Sequence, residues 1–262
     1  MRVYNNHMRY TTQLHASHSH RRQHALQYHI YSTAIGLLLF GVVGFILVLV
    51  ANMASLSIDS IVSGFFASLL RVSVAYVISV ILAIAIALII TSNNVIEGIL
   101  LPIFDVLQSF PSFALFPVLV VALANQPEII IIGVLVITMI WPILFTIIGA
   151  IKNRRTDLEE AATIFGATGP KRLVAFTMPS LLPSIITGSI VGWGEGWEFI
   201  VGAELLVNTQ VGIGHYLGVL GETHQNSLLA LGILILMFLL FVINKAIWLP
   251  LLHQSTKYQS ES

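Results

Sequence analysis

The stretch 156-TDLEEAATIFGATGPKRLVAFTMPSLLPS-184 departs from everything around it. On both sides the chain is nearly continuous Ile, Leu, Val and Gly, whereas this segment is charged, alanine-containing and punctuated by glycine and proline. Thr156 followed by Glu159 matches a capping box, and Asp157, Glu159 and Glu160 favour a helix N-terminus. Leu158, Ala161, Ala162 and Phe165 fall on one side at helical spacing. Gly166 or Gly169 can stop this helix, and Pro170 can open a second at its first position. Pro179 and Pro183 then break the chain before the next apolar run. The pattern predicts a compact helix–turn–helix insert. On local signals alone, a connector with interfacial anchors reads equally well.

The surroundings decide what the insert interrupts. Hydrophobic residues make up 56% of the chain and charged residues 9%, with a mean hydropathy of +0.91. A soluble domain carries about 25% charged residues, so the composition points to an integral membrane protein. The formal net charge of zero argues against a nucleic-acid binder, which needs a basic footprint. The absence of cysteine excludes a disulfide framework and thiolate metal or redox chemistry. Residues 1–29 are polar and hold Arg2, Arg9, Arg21 and Arg22 with six of the nine histidines. The apolar run that starts at Ile30 is too long for a signal-peptide core, so the expectation is a disordered cytoplasmic tail. Its run "HASHSHRRQH" has a composition that can bind metal. Scattered histidines in a flexible tail read instead as incidental, and no metal site is expected.

A helix needs about 20 apolar residues to cross a bilayer. Six runs qualify, at roughly 31–51, 65–91, 99–123, 129–150, 181–205 and 228–250. They lack the alternation of barrel strands, so the predicted fold is an all-α integral membrane protein with six transmembrane helices. Lys and Arg placement fixes the direction. With the N-terminus inside, the cytoplasmic segments hold ten of the twelve basic residues: the four tail arginines, Lys152, Arg154, Arg155, Lys171 and Arg172 in the middle loop, and Lys257. The external loops 52–64, 124–128 and 206–227 hold none, and only Arg71 and Lys245 lie within spans. The organisation predicted is a tail over 1–29, a membrane domain over 30–252 with a cytoplasmic loop at 151–180 between spans four and five, and a second cytoplasmic tail over 253–262. The opening stretch is thereby placed inside the cell.

Ionisable groups within spans are costly and mark candidate functional sites. In the third span Asp105, Gln108, Ser109 and Ser112 follow at i, i+3, i+4 and i+7, one helix face, with Pro102, Pro111 and Pro117 bending the run. They read either as the wall of a translocation pathway or as a polar seam against another helix. In the fifth span Gly188, Gly192 and Gly196 repeat the spacing for close helix approach. Glu195 and Glu198, flanked by Trp193 and Trp197, lie roughly 21 and 25 Å along that span at about 1.5 Å per residue. Arg71 is expected at a similar depth and is predicted to pair with Glu195 or Glu198. Glu204 reads as interfacial, and His215 and His224 as external surface residues. Phe65, Phe66, Trp141 and Trp248 read as span anchors or packing.

"EAATIFGATGPKRLVAFTMP" resembles the loop of permease subunits from ATP-binding-cassette importers. That family's pattern is Glu-Ala-Ala, three residues, Gly, nine residues, then Ile-x-Leu-Pro. Here Glu160, Ala161, Ala162, Gly166 and Pro179 match, while Phe176 and Met178 replace the Ile and Leu. The stretches "SLLRVSVAYVISVILAIAIAL", "LPIFDVLQSFPSFALFPVLVVAL", "WPILFTIIGAIKNRR" and "GAELL…GIGHYL" are similar to the nitrate, sulfonate, taurine and bicarbonate branch. The resemblance implies that the loop is a coupling helix, with Glu159, Glu160, Ala161, Ala162, Gly166 and Pro179 at the ATPase contact. The chain has no G-x-x-x-x-G-K-[ST] phosphate loop, so the expected partners are two ATP-binding subunits, which carry ATP and Mg, and this chain itself binds no cofactor. A second permease copy as a homodimer, an external solute-binding protein and the lipid bilayer complete the expected surroundings, with no nucleic acid. The implied location is the inner or plasma membrane, multi-pass, with both termini cytoplasmic.

The implied function is a translocation path for a small solute, an anion such as nitrate, a sulfonate or bicarbonate. Unpaired Glu195 and Glu198 would repel an anion, so they are paired, or protonated, or the solute is a non-anionic metabolite such as a vitamin precursor. An ATPase-independent secondary transporter would often show internal repeats with matched broken helices, and none is evident. A membrane enzyme would need clustered catalytic groups. None is found, and no catalytic residue is expected.

Overall fold

The computed structural model describes residues 41–51, 53, 57–123, 126–153, 164, 166, 169–207, 209–248 and 250–252. Every regular element among the described residues is helical. The chain divides into two units at Leu56 and Ser57. In the first, the described part is a single apolar helix, α1 (Gly41–Ala51). The tail at 1–29 and the first part of the predicted span at 31–51 lie outside the described residues.

The second unit holds the remaining elements. They are α2 (Ile58–Ile90), α3 (Asn94–Gln108), a 3₁₀ turn (Ser112–Leu115) and α4 (Phe116–Ala122). After these come α5 (Pro127–Lys152), the single turn α6 (Gly169–Arg172), α7 (Met178–Val207), α8 (Ile213–Glu222) and α9 (Asn226–Ile243). Four helical stretches are long and apolar enough to cross a membrane: Ile58–Ile90, Pro127–Lys152, Leu173–Val207 and Asn226–Leu252. The predicted third span is instead broken into Asn94–Gln108 and Ser112–Ala122, which meet at 84°. Phe110 precedes Pro111, and a residue before proline is pushed out of the helical region. The helix therefore ends at Gln108 and the chain turns. Ser112 thus leaves the face that carries Asp105, Gln108 and Ser109, contrary to the expectation of one continuous helix.

Two wider π-helical turns occupy Leu173–Thr177 and Asn244–Trp248. Each lies just before a proline, Pro179 and Pro250. A proline ring clashes with the carbonyl four residues back, and adding a residue to the preceding turn relieves the clash. The second of these turns buries Trp248. The region read as a loop at 206–227 contains α8. Its buried Ile213, Leu217 and Leu220 fall at i, i+4 and i+7, a helical pattern that four interspersed glycines obscure.

The core is built by α2, α5 and α7. One face of α2 is small, with Gly64, Ser68, Ala75, Ser79, Ala83 and Ala87 all buried. Such residues let helix backbones approach closely where no hydrophobic drive separates lipid from protein. Ala83, Ala87 and Ile90 of α2 pack with Ile140, Ile143, Leu144, Ile147 and Ile148 of α5 and Leu181 of α7 in one cluster. The approach of α7 to α5 is closer still. A Cβ at Gly188 would lie 2.1 Å from Thr146 Oγ1 and 2.8 Å from Ile143 Cα. At Gly192 it would lie 2.8 Å from the Met139 carbonyl oxygen, and at Gly196 2.9 Å from Met139 Sδ. Gly194, two residues off this track, faces open space.

The contrast gives a direct test. Gly192→Leu should lower the stability of the detergent-solubilised protein by at least the 1–3 kcal/mol typical of overpacking, read as a fall in thermal unfolding midpoint. Gly194→Ala should leave the midpoint unchanged or raise it, since alanine is the better helix former by up to about 1 kcal/mol. Equal effects at the two positions would show that the glycines do not set the α5–α7 contact.

Candidate functional site

Arg71 sits on the buried face of α2 and is satisfied from three sides. Its Nε donates to Glu128 Oε2 at 2.7 Å and Nη2 to Glu128 Oε1 at 2.6 Å, the bidentate geometry that a planar guanidinium favours. Nη1 donates to Glu204 Oε1 and to the Val211 carbonyl, both at 2.7 Å. The two carboxylates differ in setting. The Glu128 side chain, in the first turn of α5, is 55% exposed, whereas that of Glu204, near the end of α7, is 0% exposed.

Glu204 is held by more than the arginine. Ser68 Oγ donates to its Oε1 at 2.7 Å, and the Gly214 backbone N–H donates to its Oε2 at 2.8 Å. The neighbouring N–H of Ile213 donates to Ser68 Oγ at 2.9 Å. These are the first N–H groups of α8, which have no carbonyl partner within their own helix, and the positive end of that helix favours a carboxylate. Glycine is required around them. A Cβ on Gly214 would lie 2.3 Å from the Val201 carbonyl oxygen, and one on Gly212 would lie 2.4 Å from Glu204 Oε2. On the α2 side, a Cβ on Gly64 would be 2.9 Å from the Gly212 carbonyl carbon.

The predicted partner of Arg71 is therefore corrected. It pairs with Glu128 and Glu204, and not with Glu195 or Glu198. The register explains the error. Helix α2 starts at Ile58, and its early turns rise past the end of α7 to pack at Gly64 against Gly212 and Ile213, so its start is not level with that end as the depth count assumed. Arg71 thus lies level with the end of α7 rather than its middle. Glu204 is likewise fully enclosed, not interfacial. Glu128 was not singled out as a partner, although it is an acid at a span end and Arg71 is one of only two basic residues within the predicted spans.

Helix α7 presents three different faces. The glycine track meets α5. Beside it, Trp193 and Trp197 are buried; Trp197 stacks on Phe65 at 5.3 Å between ring centroids, and Trp193 meets Tyr76 and Trp248 edge-on at 5.6 and 5.9 Å. Tyr76 shares a hydrogen bond with Ser189 across this contact at 2.9 Å. The indole N–H groups of Trp193, Trp197 and Trp248 have no acceptor among the described residues. These aromatics pack the interior. On the opposite side, Glu195 is half-buried and Glu198 exposed, and neither has a hydrogen-bond or ionic partner among the described residues. Next to Glu198, Phe199 stacks on Phe113 at 4.3 Å, which seats the break between α3 and α4 on α7.

On α3, Gln108 Nε2 donates to Asp105 Oδ1 at 2.6 Å and Ser109 Oγ donates to the Asp105 carbonyl at 3.0 Å. All three side chains are exposed, so the second unit leaves this seam uncovered. At the start of α3, Glu97 is ion-paired with Lys152 at the end of α5. The loop residues Glu159, Glu160, Ala161 and Ala162 lie outside the described residues. Of the remaining loop positions, Gly166 has φ +74° and Gly169 φ +53°, the left-handed region where glycine is at home. Ile164 is 83% exposed, and Pro179 lies in the first turn of α7. No group of three or more His, Cys, Asp or Glu that could hold a metal occurs among the described residues.

Removing one partner of a buried ion pair costs about 3–5 kcal/mol, whereas an exposed pair is worth about 0–1 kcal/mol. Arg71→Met and Glu204→Ala should therefore each lower the unfolding midpoint sharply, and Glu128→Gln far less. In double-mutant cycles, Arg71 with Glu204 should be strongly non-additive and Arg71 with Glu195 additive. Coupling to Glu195 instead would overturn the assignment.

Similarity to known proteins covers the same helices. Residues 79–249 match the family described as binding-protein-dependent transport system inner membrane component. The match takes in Asp105, Glu128, Glu195, Glu198 and Glu204 and begins after Arg71. The bicarbonate transport system permease protein of Synechococcus elongatus is 31% identical over 152 residues, 58% of this chain and 54% of that protein. The nitrate import permease protein of Synechocystis is 32% identical over 166 residues, 63% of this chain and 58% of the relative. For the taurine transport system permease protein of Escherichia coli the identity is 26% over 179 residues, 68% and 64% of the two chains. The chain thus spans little more than half the length of the first two relatives. These are transport permeases, not enzymes. With the last third of α2 and all of α3 to α9 inside the matched segment, the chain belongs to the family of inner membrane components of binding-protein-dependent transport systems.

Proposed function

We propose that this chain is the permease subunit of an ATP-binding-cassette importer, forming the path of a small solute and taking its driving force from a separate ATPase. The observation that carries this reading is the connector between α5 and α7. The family match runs straight through it, it contains the Glu160-Ala161-Ala162…Gly166 pattern, and it holds a left-handed Gly166 beside a strongly exposed Ile164. An exposed apolar side chain on a polar connector suits docking to another protein. In this reading the connector is cytoplasmic and both termini lie inside. Two ATP-binding subunits carry ATP and Mg, and a second permease copy and an external solute-binding protein complete the assembly.

The mechanics follow from where the connector is attached. It joins the C-terminus of α5 to the start of α7, the two helices whose backbones touch along the glycine track. A push on the connector is delivered to both together, and helices locked in this way move as one body. Arg71 ties the far ends of the same two helices to α2 and α8, so the displacement is shared by the core.

The relatives' names favour a small oxyanion such as bicarbonate, nitrate or a sulfonate as the solute. A second reading, a non-anionic metabolite, is supported by Asp105, Glu195 and Glu198, which have no cationic partner among the described residues.

Gly166→Asp and Glu160→Lys should each abolish co-purification with the partner ATPase, or reduce solute-stimulated ATP hydrolysis by at least about tenfold, as expected for a lost docking contact at an interface hot spot. If both variants keep wild-type docking and transport, the connector is not the coupling element. Thermal stabilisation of the partner binding protein by bicarbonate, nitrate and taurine, against neutral and cationic metabolites, decides between the two solute classes.

A further inference from the structure

Between α3 and α5 runs a groove of about 440 Å³, lined by Leu101, Pro102, Asp105, Phe145, Ile148 and Gly149. Its volume is in the range of small-molecule sites, which are mostly apolar with a few placed polar groups. Here the polar group is a single carboxylate. We propose that this groove binds a small amphipathic organic cation, a primary amine or amidine on an apolar body, with Asp105 as its counter-charge.

The charge is available. Asp105 Oδ1 accepts from Gln108 Nε2, which orients the carboxylate, while Oδ2 has no partner among the described residues. Among the described residues, the two basic groups on the neighbouring helices α5 and α2 are engaged elsewhere. Lys152, one turn beyond Gly149 on α5, is paired with Glu97, two turns before Asp105 on α3. Arg71 is held by Glu128 and Glu204. A lone carboxylate at membrane depth is costly, and a bound cation offsets that cost where lipid cannot.

The walls are firm and the body of the ligand has a surface to meet. Phe104 packs edge-on against Trp141 at 6.0 Å, and Leu101, Phe104 and Trp141 lean on the buried cluster that includes Ile148. This fixes α3 on α5 alongside the groove, and the Lys152–Glu97 pair joins the same two helices. Phe145 offers a ring for the apolar body, and a cation near an aromatic face gains further attraction. The floor is open at Gly149, where a Cβ would meet nothing within 4 Å. That glycine leaves room for a ligand and is not needed for backbone approach. The site does not depend on which solute the importer carries.

The test uses the full-length protein in phosphatidylcholine nanodiscs, whose lipid carries no net charge to attract cations. Binding of 2-phenylethylammonium is compared with that of 3-phenylpropan-1-ol and 3-phenylpropionate by calorimetry. The cation should bind at least about tenfold more tightly than either, the scale of one charge-assisted hydrogen bond. Asp105→Asn, nearly isosteric and on an exposed side chain, should remove that preference and leave the weak binding of the alcohol unchanged. Gly149→Leu should abolish binding of all three, while Gly149→Ala, which the backbone accommodates, should weaken it partially. Absence of a preference for the cation in the wild-type protein, or its survival in Asp105→Asn, overturns the proposal. So does undiminished binding in both Gly149 variants.

Discussion

Two helices of this protein touch backbone to backbone, and most of the remaining structure is arranged around that contact. Within a membrane, burying apolar side chains against one another gains little over leaving them in lipid, so helices associate through close van der Waals packing. Gly188, Gly192 and Gly196 supply it by letting α7 descend onto Pro142, Met139 and Ile143 of α5. The track also fixes the rotation of α7. Trp193 and Trp197, each one residue past a track glycine, are turned toward Tyr76, Phe65 and Trp248. Glu195 and Glu198 are turned away from this interior. The small face of α2 then closes on α5 from the other side. One stripe of missing side chains thus decides which residues of α7 pack and which are left for solute or partner.

Charge is sorted by a second rule. Glu204 is enclosed completely because it has four functions in one place: it balances Arg71, accepts from Ser68, accepts from Gly214, and terminates α8 electrostatically. Without it the Gly214 N–H would lose its acceptor and the guanidinium one of its two counter-charges, and a buried carboxylate survives only with such a full set of donors. Glu128 reaches the same guanidinium from the rim and remains half in the open. Breaking one link here strands several others, which makes the cluster a pin for four chain segments and not a single ion pair.

The run of apolar residues made the membrane class and four of the long helices legible from the sequence, because composition and length report directly on the bilayer. The glycine spacing in α7 was legible for the same reason, being local to one helix. The failures all concern relations between helices. Arg71 was matched to the wrong acids because its depth was counted as though α2 began level with the end of α7. Nothing in a sequence states how far one helix rises past the end of another. Helix α8 was hidden because its glycines, needed for the approach of Gly212 and Gly214 to Glu204 and Val201, look like loop residues in isolation. The elbow after Gln108 was half legible: three prolines announced a bend, but the 84° break depends on Phe113 finding Phe199.

That elbow and the unpaired acids make the same physical demand. Backbone groups at a sharp break at membrane depth need water or protein around them, since lipid tails offer no hydrogen bond. An ionised carboxylate at the bilayer centre costs about 2.5–3.5 kcal/mol on insertion scales. Phe113 seats the elbow on Phe199 and against Gly202, directly beside Glu198, and α3 carries Asp105, Gln108 and Ser109 toward the same bend. Two independent requirements for a polar or proteinaceous surrounding therefore meet along the elbow and the acidic side of α7. The exposed apolar residues of α2 and α9, among them Leu70, Val77, Ile81, Leu234 and Met237, make no such demand and suit lipid. The chain accordingly has a lipid-compatible side and a side that lipid cannot cover, and the broken third span lies on the second.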